Sequence, residues 1–279
     1  MTAGPLAVVA RWGFDAAAGA TSPEATLGSH GQLERVFRWA SATKLLTSLA
    51  ILVAAEEGVV ALDDAAGPPG STIRHLLAHA SGLAFDDARV LAAPGRRRIY
   101  SNRGIEVAAE AVAASAGISF DDYVTAGVME PLGLAGTTLV GSPAWGASGP
   151  LEDLLRLGRE LLAPTLVSPA MHSLATAVAF PGLAGVLPGF GRQDPNDWGL
   201  GFEVRGHKSP HWTGRSNSTA TFGHFGRSGT FLWADPVPRI ALASVSATDF
   251  GPWAAREWPR LSEAVIRSWG GRGREGDAP

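Results

Sequence analysis

Cysteine is absent from the 279 residues, which excludes disulfides, thiolate metal sites and cysteine nucleophiles together. Charge is scarce: 18% of the residues are charged and the formal net charge is -3. Without a basic surface, nucleic acid is excluded as a partner. Long apolar runs are missing too, since the longest, Leu45 to Ala55, stops at Glu56 and Glu57, well short of the roughly 20 residues that span a bilayer. No membrane partner is expected. Pro5 to Ala10 has nothing basic before it and is cut off by Arg11, which is not a secretory pattern. With a chain beginning at Met1, a cytoplasmic location is expected. Lysine is almost missing, for among 23 basic residues only Lys44 and Lys208 are Lys. Arginine cannot release its proton, so each lysine carries extra chemical weight.

What is present describes a globular protein: 46% hydrophobic residues, in a length that at roughly 150 residues per domain gives one large domain or two small ones. Leu6–Trp12 and Leu33–Ala40 read as β-strands forming a hairpin. Helices are predicted over Ala42–Glu57, Thr72–Ala78 and Arg103–Ala116, the last with Gly117 just past its end. Another opens at Ser119 and Asp122 and stops before Pro131; Leu151–Leu162 follows, then a helix begun by Ser168 and Pro169. Phe180–Asp197 reads as loop. Strands are predicted over Trp198–Gly206, Ala220–His224, Thr230–Asp235 and Ile240–Ser246, then a helix over Trp253–Trp269 and a disordered tail from Gly270. Strands at both ends with helices between suggest one sheet built from both termini and a helical lobe inserted between them.

Three short motifs could carry chemistry. Ser41-Ala42-Thr43-Lys44 lies where the second predicted strand enters the most apolar helix. That puts Lys44 one turn from Ser41, within reach of a hydroxyl–amine hydrogen bond. The helix N-terminus adds a backbone N–H and a positive dipole end for an oxyanion. Tyr100-Ser101-Asn102 precedes another helix; a phenol can relay a proton and an amide can grip a substrate carbonyl. The chain has only two Tyr. His224-Phe225-Gly226 ends a predicted strand, and with seven His and 35 Gly its weight lies in its position alone. Asn102 is equally readable as a cap of the helix that follows.

Taken in order, Ser-x-x-Lys, Tyr-x-Asn and His-x-Gly resemble the serine β-lactamase-like, penicillin-binding-protein superfamily, in its class C β-lactamase, D,D-peptidase and family VIII esterase branch. Phe37–Lys44, Glu56-Glu57-Gly58, Arg74–Leu83, Glu130–Leu134, Trp198–Phe202 and His224–Pro236 also look like family blocks. The resemblance implies an α+β fold, an antiparallel sheet flanked by helices plus an inserted all-helical lobe. Residues 1–45 with 198–279 would form the α/β sandwich domain and 46–197 the helical domain, with the active site at their junction. By the same resemblance Ser41 would be the acylated nucleophile, Lys44 and Tyr100 the proton-handling pair, and Asn102, His224, Phe225 and Gly226 the substrate-binding groups. The oxyanion hole would be the backbone N–H groups of Ser41 and Arg227. No cofactor and no metal are implied.

The chain departs from the family at the third motif. Class C β-lactamases usually present Lys-Thr-Gly there to a substrate carboxylate, whereas a neutral His224 and Phe225 offer neither cation nor hydroxyl. The chain is also shorter than typical members, with no convincing helix before the first strand. A serine hydrolase acting on a small-molecule ester, in preference to an amide or lactam, is therefore the leading expectation. A β-lactamase or D,D-carboxypeptidase is the alternative within the enzyme class, and a catalytically silent ligand-binding member the alternative outside it. His75 and His79 have zinc-ligand spacing, but Leu76 stands where a metalloprotease needs Glu, so a structural role is expected. His207 and His211 flank Pro210, which defeats helical ligand spacing, and Arg96–Arg98 reads as a solvated loop.

Overall fold

The computed structural model describes residues 4–271. Its first element corrects the expected hairpin: Pro5–Arg11 is a 3-10 helix, not a strand. Pro5 pre-sets a helical φ at the first position, and Leu6 and Val9, three residues apart, are both buried, the repeat of one 3-10 turn. The hairpin forms instead from β1 (Ala16–Thr21) and β2 (Thr26–His30), in what had read as a connector. Alanine and glycine give β1 little strand propensity. Packing selects the glycine, because a Cβ on Gly19 would lie 2.8 Å from a Leu155 methyl. Of the second expected strand only β3 (Val36–Arg38) is extended, and it pairs away from the hairpin.

A 3-10 turn over Ala40–Ala42 leads into α1 (Thr43–Glu56), buried from Thr43 to Ala54. Then come α2 (Ile73–Leu77), α3 (Asn102–Ala116) and α4 (Phe120–Val124). Gly117 closes α3 at φ 72°, and Ser119 caps α4 by accepting from the Asp122 N–H. The helix expected to stop before Pro131 does not: a π turn over Thr125–Met129 continues into α5 (Glu130–Leu132), which ends at Gly133, φ 64°. Pro131 therefore falls within this helical run, just after the π turn. Next, β4 (Thr138–Leu139) and β5 (Ala147–Pro150) join β3 in a three-stranded sheet ordered β3-β5-β4. α6 (Leu151–Leu162) matches its expected span, and Ser168 caps α7 (Pro169–Thr176). The expected loop over 180–197 contains a small hairpin, β6 (Gly185–Leu187) with β7 (Gly191–Gln193). Only β8 (Glu203–Val204) is strand within Trp198–Gly206.

β9 (Phe222–Phe225), β10 (Phe231–Asp235), β11 (Ile240–Ser246) and α8 (Pro252–Trp269) complete the chain. The tail expected to be disordered lies, beyond Gly271, outside the described residues. The fold is α+β, an antiparallel sheet flanked by helices. Its main sheet is antiparallel, in the order β2-β1-β11-β10-β9-β8, with strands from both ends of the chain. Alternate residues of β10 serve opposite cores: Leu232 and Ala234 pack with α1 and α6, while Phe231 and Trp233 pack with Trp258 and Leu261 of α8 and with Leu6 and Val9. A sheet covered on both faces explains why β10 and β11 are apolar at nearly every position. Gly158 of α6 lies against Leu232 and Ala241. We therefore propose that α6, though inside residues 46–197, belongs with the sandwich domain.

Candidate active site

Ser41 sits on a turn that the surrounding chain forces. Ala40 has φ 46°, a conformation L-residues seldom adopt. The end of β9 lies flush against it, for a Cβ on Gly226 would be 2.1 Å from the Trp39 carbonyl oxygen and 3.1 Å from the Ser41 nitrogen. Only glycine permits that approach, which brings the backbone at Arg227 beside that of Ser41. Ser228 and Thr230 hydroxyls fasten the crossing by donating to the Arg38 carbonyl, at 2.7 and 2.9 Å.

Lys44 is completely buried. Its Nζ lies 2.6 Å from Asn102 Oδ1, 2.9 Å from the Ala144 carbonyl oxygen and 3.4 Å from Ser41 Oγ. Burial lowers its pKa to about 7, against the opposing pull of Asp86 and Glu106. The ammonium is thus balanced against the free amine near neutrality. Nζ also stands 4.8 Å from the centre of the Tyr100 ring.

Asn102 is not the helix cap. Ser101 caps α3, its hydroxyl accepting from the Gly104 N–H at 2.9 Å, and the Asn102 amide is free to bridge Lys44 to Asp86, donating through Nδ2 at 2.7 Å. Tyr100 is pushed well above the usual phenol range by burial, with the neighbouring Ser41 hydroxyl pulling the other way and Asp86 adding to the rise. His224 Nδ1 lies 2.7 Å from the Phe225 carbonyl oxygen, an acceptor only, so Nδ1 carries the hydrogen and Nε2 is a lone pair. Nε2 is 3.4 Å from the Tyr100 hydroxyl. Burial, reinforced by Lys44, lowers the His224 pKa to about 3, leaving the ring neutral. Phe225 turns its ring into an aromatic cluster with Phe250 and Trp258.

Some supporting residues went unread in the sequence, whereas His79 takes the structural role expected of it. The Arg96–Arg98 expectation fails at its last member: Arg98 is buried, and its guanidinium donates to the carbonyls of Ala78, Ala179, Phe180 and Asn196. It locks the loop that presents Tyr100. His79 is buried against the rings of Tyr100 and Trp198, its Nδ1 accepting from the Ser101 N–H, while His75 bonds Thr72 instead. Glu203 forms a buried cluster in which Lys208, His211 and Trp212 all donate to its carboxylate. Only the rarity of lysine pointed towards Lys208. Ser41, Tyr100, His224, Phe225 and Arg227 share one cavity of about 300 Å³, whose other lining residues are Glu203 and a mostly apolar set including Leu187, Trp198 and Phe250.

A family model described as Beta-lactamase matches residues 7–265. The chain belongs to the β-lactamase family, and family and fold together indicate a serine hydrolase. It is 53% identical to a β-lactamase from Mycobacterium bovis whose structure superposes with a TM-score of 0.94, covering 95% of this chain and 99% of that one. In fold it is similar to EstCE1, a hydrolase with promiscuous acyltransferase activity, with a TM-score of 0.75, 18% identity and coverage of 94% and 96%. Among curated proteins it is similar to the D-alanyl-D-alanine-carboxypeptidase/endopeptidase AmpH of Escherichia coli K12, 28% identical over 149 residues. That match spans 40% of this chain and 39% of the relative's length. No helix among the described residues is long and apolar enough to cross a membrane.

Proposed function

We propose that the chain is a serine hydrolase working through an acyl-enzyme on Ser41, and that small esters are its preferred substrates. One observation carries the reading: two of the three close neighbours of Lys44 Nζ, Asn102 Oδ1 and the Ala144 carbonyl, are pure acceptors, and the third is Ser41 Oγ. A neutral amine has two hydrogens and one lone pair, so with both hydrogens engaged the lone pair faces the serine hydroxyl. The 3.4 Å separation is at the loose end for a base, as is common before substrate binds.

Lys44 takes the Ser41 proton as Oγ attacks the ester carbonyl, and the oxyanion forms against the N–H groups of Ser41 and Arg227. The bond to the alcohol oxygen then breaks. That oxygen receives the proton from Lys44 by way of Tyr100, whose raised pKa keeps it protonated and suits it to relay a proton, not to begin as the base. A water molecule, deprotonated by the same pair, attacks the acyl-enzyme, releases the acid and returns the proton to Oγ. Asn102 spends its Oδ1 and one Nδ2 hydrogen on Lys44 and Asp86, and its second Nδ2 hydrogen is the contact for the substrate carbonyl. His224, Phe225 and Gly226 form the wall along the substrate.

Esters rank ahead of β-lactams because a neutral His224 and an inward-turned Phe225 offer no charge-assisted grip on a carboxylate. Such a grip is worth about 1.5–3 kcal/mol, or roughly ten- to a hundredfold in rate. The second reading, turnover of β-lactams or D,D-carboxypeptidase activity, draws support from the M. bovis relative and from Arg227, which lines the cavity. A cytoplasmic setting belongs to the same proposal and is tested by fractionation. The experiment for the whole reading is intact-mass analysis after treatment with a fluorophosphonate. One adduct is expected on the wild type and none on Ser41→Ala, together with turnover of p-nitrophenyl acetate and little of a chromogenic cephalosporin. An unlabelled wild type would favour a silent ligand-binding protein, and cephalosporin turnover exceeding ester turnover would favour the β-lactamase.

A further inference from the structure

His79 follows the last turn of α2 in a conformation that favours glycine. The His79 N–H donates to the Leu76 carbonyl at 3.1 Å and the Ala80 N–H to the His75 carbonyl at 2.8 Å, the two bonds of a Schellman ending, whose left-handed residue is usually glycine. Here that residue is His79, at φ 52°. A histidine held where glycine would sit freely points to work done by its side chain.

Both the main chain and the side chain of His79 face the Tyr100 segment. The His79 carbonyl accepts from the Ile99 N–H at 2.9 Å, and His79 Nδ1 accepts from the Ser101 N–H at 3.2 Å. One residue thus holds the N–H groups on either side of Tyr100. The ring adds a surface, its centre 4.6 Å from that of the Tyr100 ring and 4.6 Å from that of Trp198. Accepting at Nδ1 requires a neutral imidazole with its hydrogen on Nε2. Burial, reinforced by Lys44, keeps the His79 pKa well below the usual histidine range and so keeps that acceptor available.

The residues that follow have anchors of their own. Ser101 Oγ donates to the Ala84 carbonyl at 2.6 Å and the Asn102 N–H to the Phe85 carbonyl at 2.7 Å. Removing the His79 side chain would therefore loosen Tyr100 while Asn102, and Lys44 with it, stay in place.

We infer that His79 is a positioning residue for Tyr100, and that through its Nδ1 acceptor it fixes the phenol where the leaving oxygen receives its proton; this rests on the relay assigned to Tyr100 above.

The test compares kcat/KM for p-nitrophenyl acetate, whose leaving oxygen departs with little protonation, with that for ethyl acetate, whose alkoxide must be protonated. A site that is merely destabilised loses activity on both esters alike and leaves their ratio unchanged. In His79→Gly, which suits the backbone and deletes the ring, the ratio of p-nitrophenyl to ethyl ester should rise about tenfold or more, as it should in Tyr100→Phe. His79→Leu, which fills the space without supplying an acceptor, should do the same and serves if the glycine variant does not fold. His79→Asn tolerates the left-handed backbone and offers an acceptor in place of Nδ1, so its ratio should stay within about threefold of the wild type. An unchanged ratio in folded His79→Gly or His79→Leu, or a tenfold rise in His79→Asn, overturns the inference and leaves the relay standing, provided that Tyr100→Phe shows the rise. An unchanged ratio in Tyr100→Phe overturns the relay and the inference together.

Discussion

At the scale of single residues, pH dependence turns on Lys44. Its pKa is lowered to about 7 by burial, and it serves as a base only when neutral. Acylation should therefore rise with pH through a midpoint near 7 and level off above it. A profile of kcat/KM for p-nitrophenyl acetate that falls over this range would remove Lys44 from the role. Asp86→Asn deletes a charge that raises the lysine pKa, so the rising limb should move to lower pH. Lys44→Arg should lose about a thousandfold or more, because a guanidinium does not deprotonate. Ser41, Lys44, Tyr100, Asn102 and His224 were legible because each sits in a short motif of distinctive residue types, and the structure brings all five together. Asp86 and the Ala144 carbonyl were not, since one is an ordinary loop carboxylate and the other a main-chain group that any residue would supply.

At the scale of elements, β8 is short but anchored from within. Glu203 is almost fully buried with Lys208, His211 and Trp212 around its carboxylate, and β8 pairs Glu203 with Gly223, next to His224. Glu203→Gln would strand the Lys208 ammonium in the interior, at a cost of about 3–5 kcal/mol, readable as a lower midpoint in urea. Burial alone would raise the Glu203 pKa, but His211 and Lys208 overcome it and hold the folded value at about 2, against 4.5 for the free side chain. A depressed carboxylate pKa stabilises above the unfolded value and loses that contribution as pH falls through the folded one. Stability should accordingly drop between about pH 4.5 and 2 in the wild type and show a weaker slope in Glu203→Gln. The long helices and β9 to β11 were legible from periodicity and strand-forming residues. β1 was hidden because it is built of alanine and glycine, residues of low strand propensity, with Leu155 requiring the glycine at position 19, and Pro5–Arg11 misled because an apolar repeat of three can pass for a short strand.

At the scale of the whole molecule, the site joins pieces more than 180 residues apart, and changes there are felt on both sides of the sheet. Replacing His224 by Lys and Phe225 by Thr would restore a cation and a hydroxyl to the third motif, and a gain in cephalosporin turnover is the expected result. Phe225 also packs on Phe250 and Trp258, so the pair should lower stability by about 3 kcal/mol or more, measured as a reduced melting temperature beside the altered substrate ratio. The sheet order has a consequence for how the chain is made. β1 lies between β2 and β11, so the hairpin that emerges from the ribosome among the first segments must wait for the last of the described strands before its inner edge is paired. Until residue 246 is synthesised, that edge is an open template for another nascent chain. Nascent chains arrested before Ile240 should therefore aggregate or recruit chaperones, whereas chains released beyond Trp269 close the sheet.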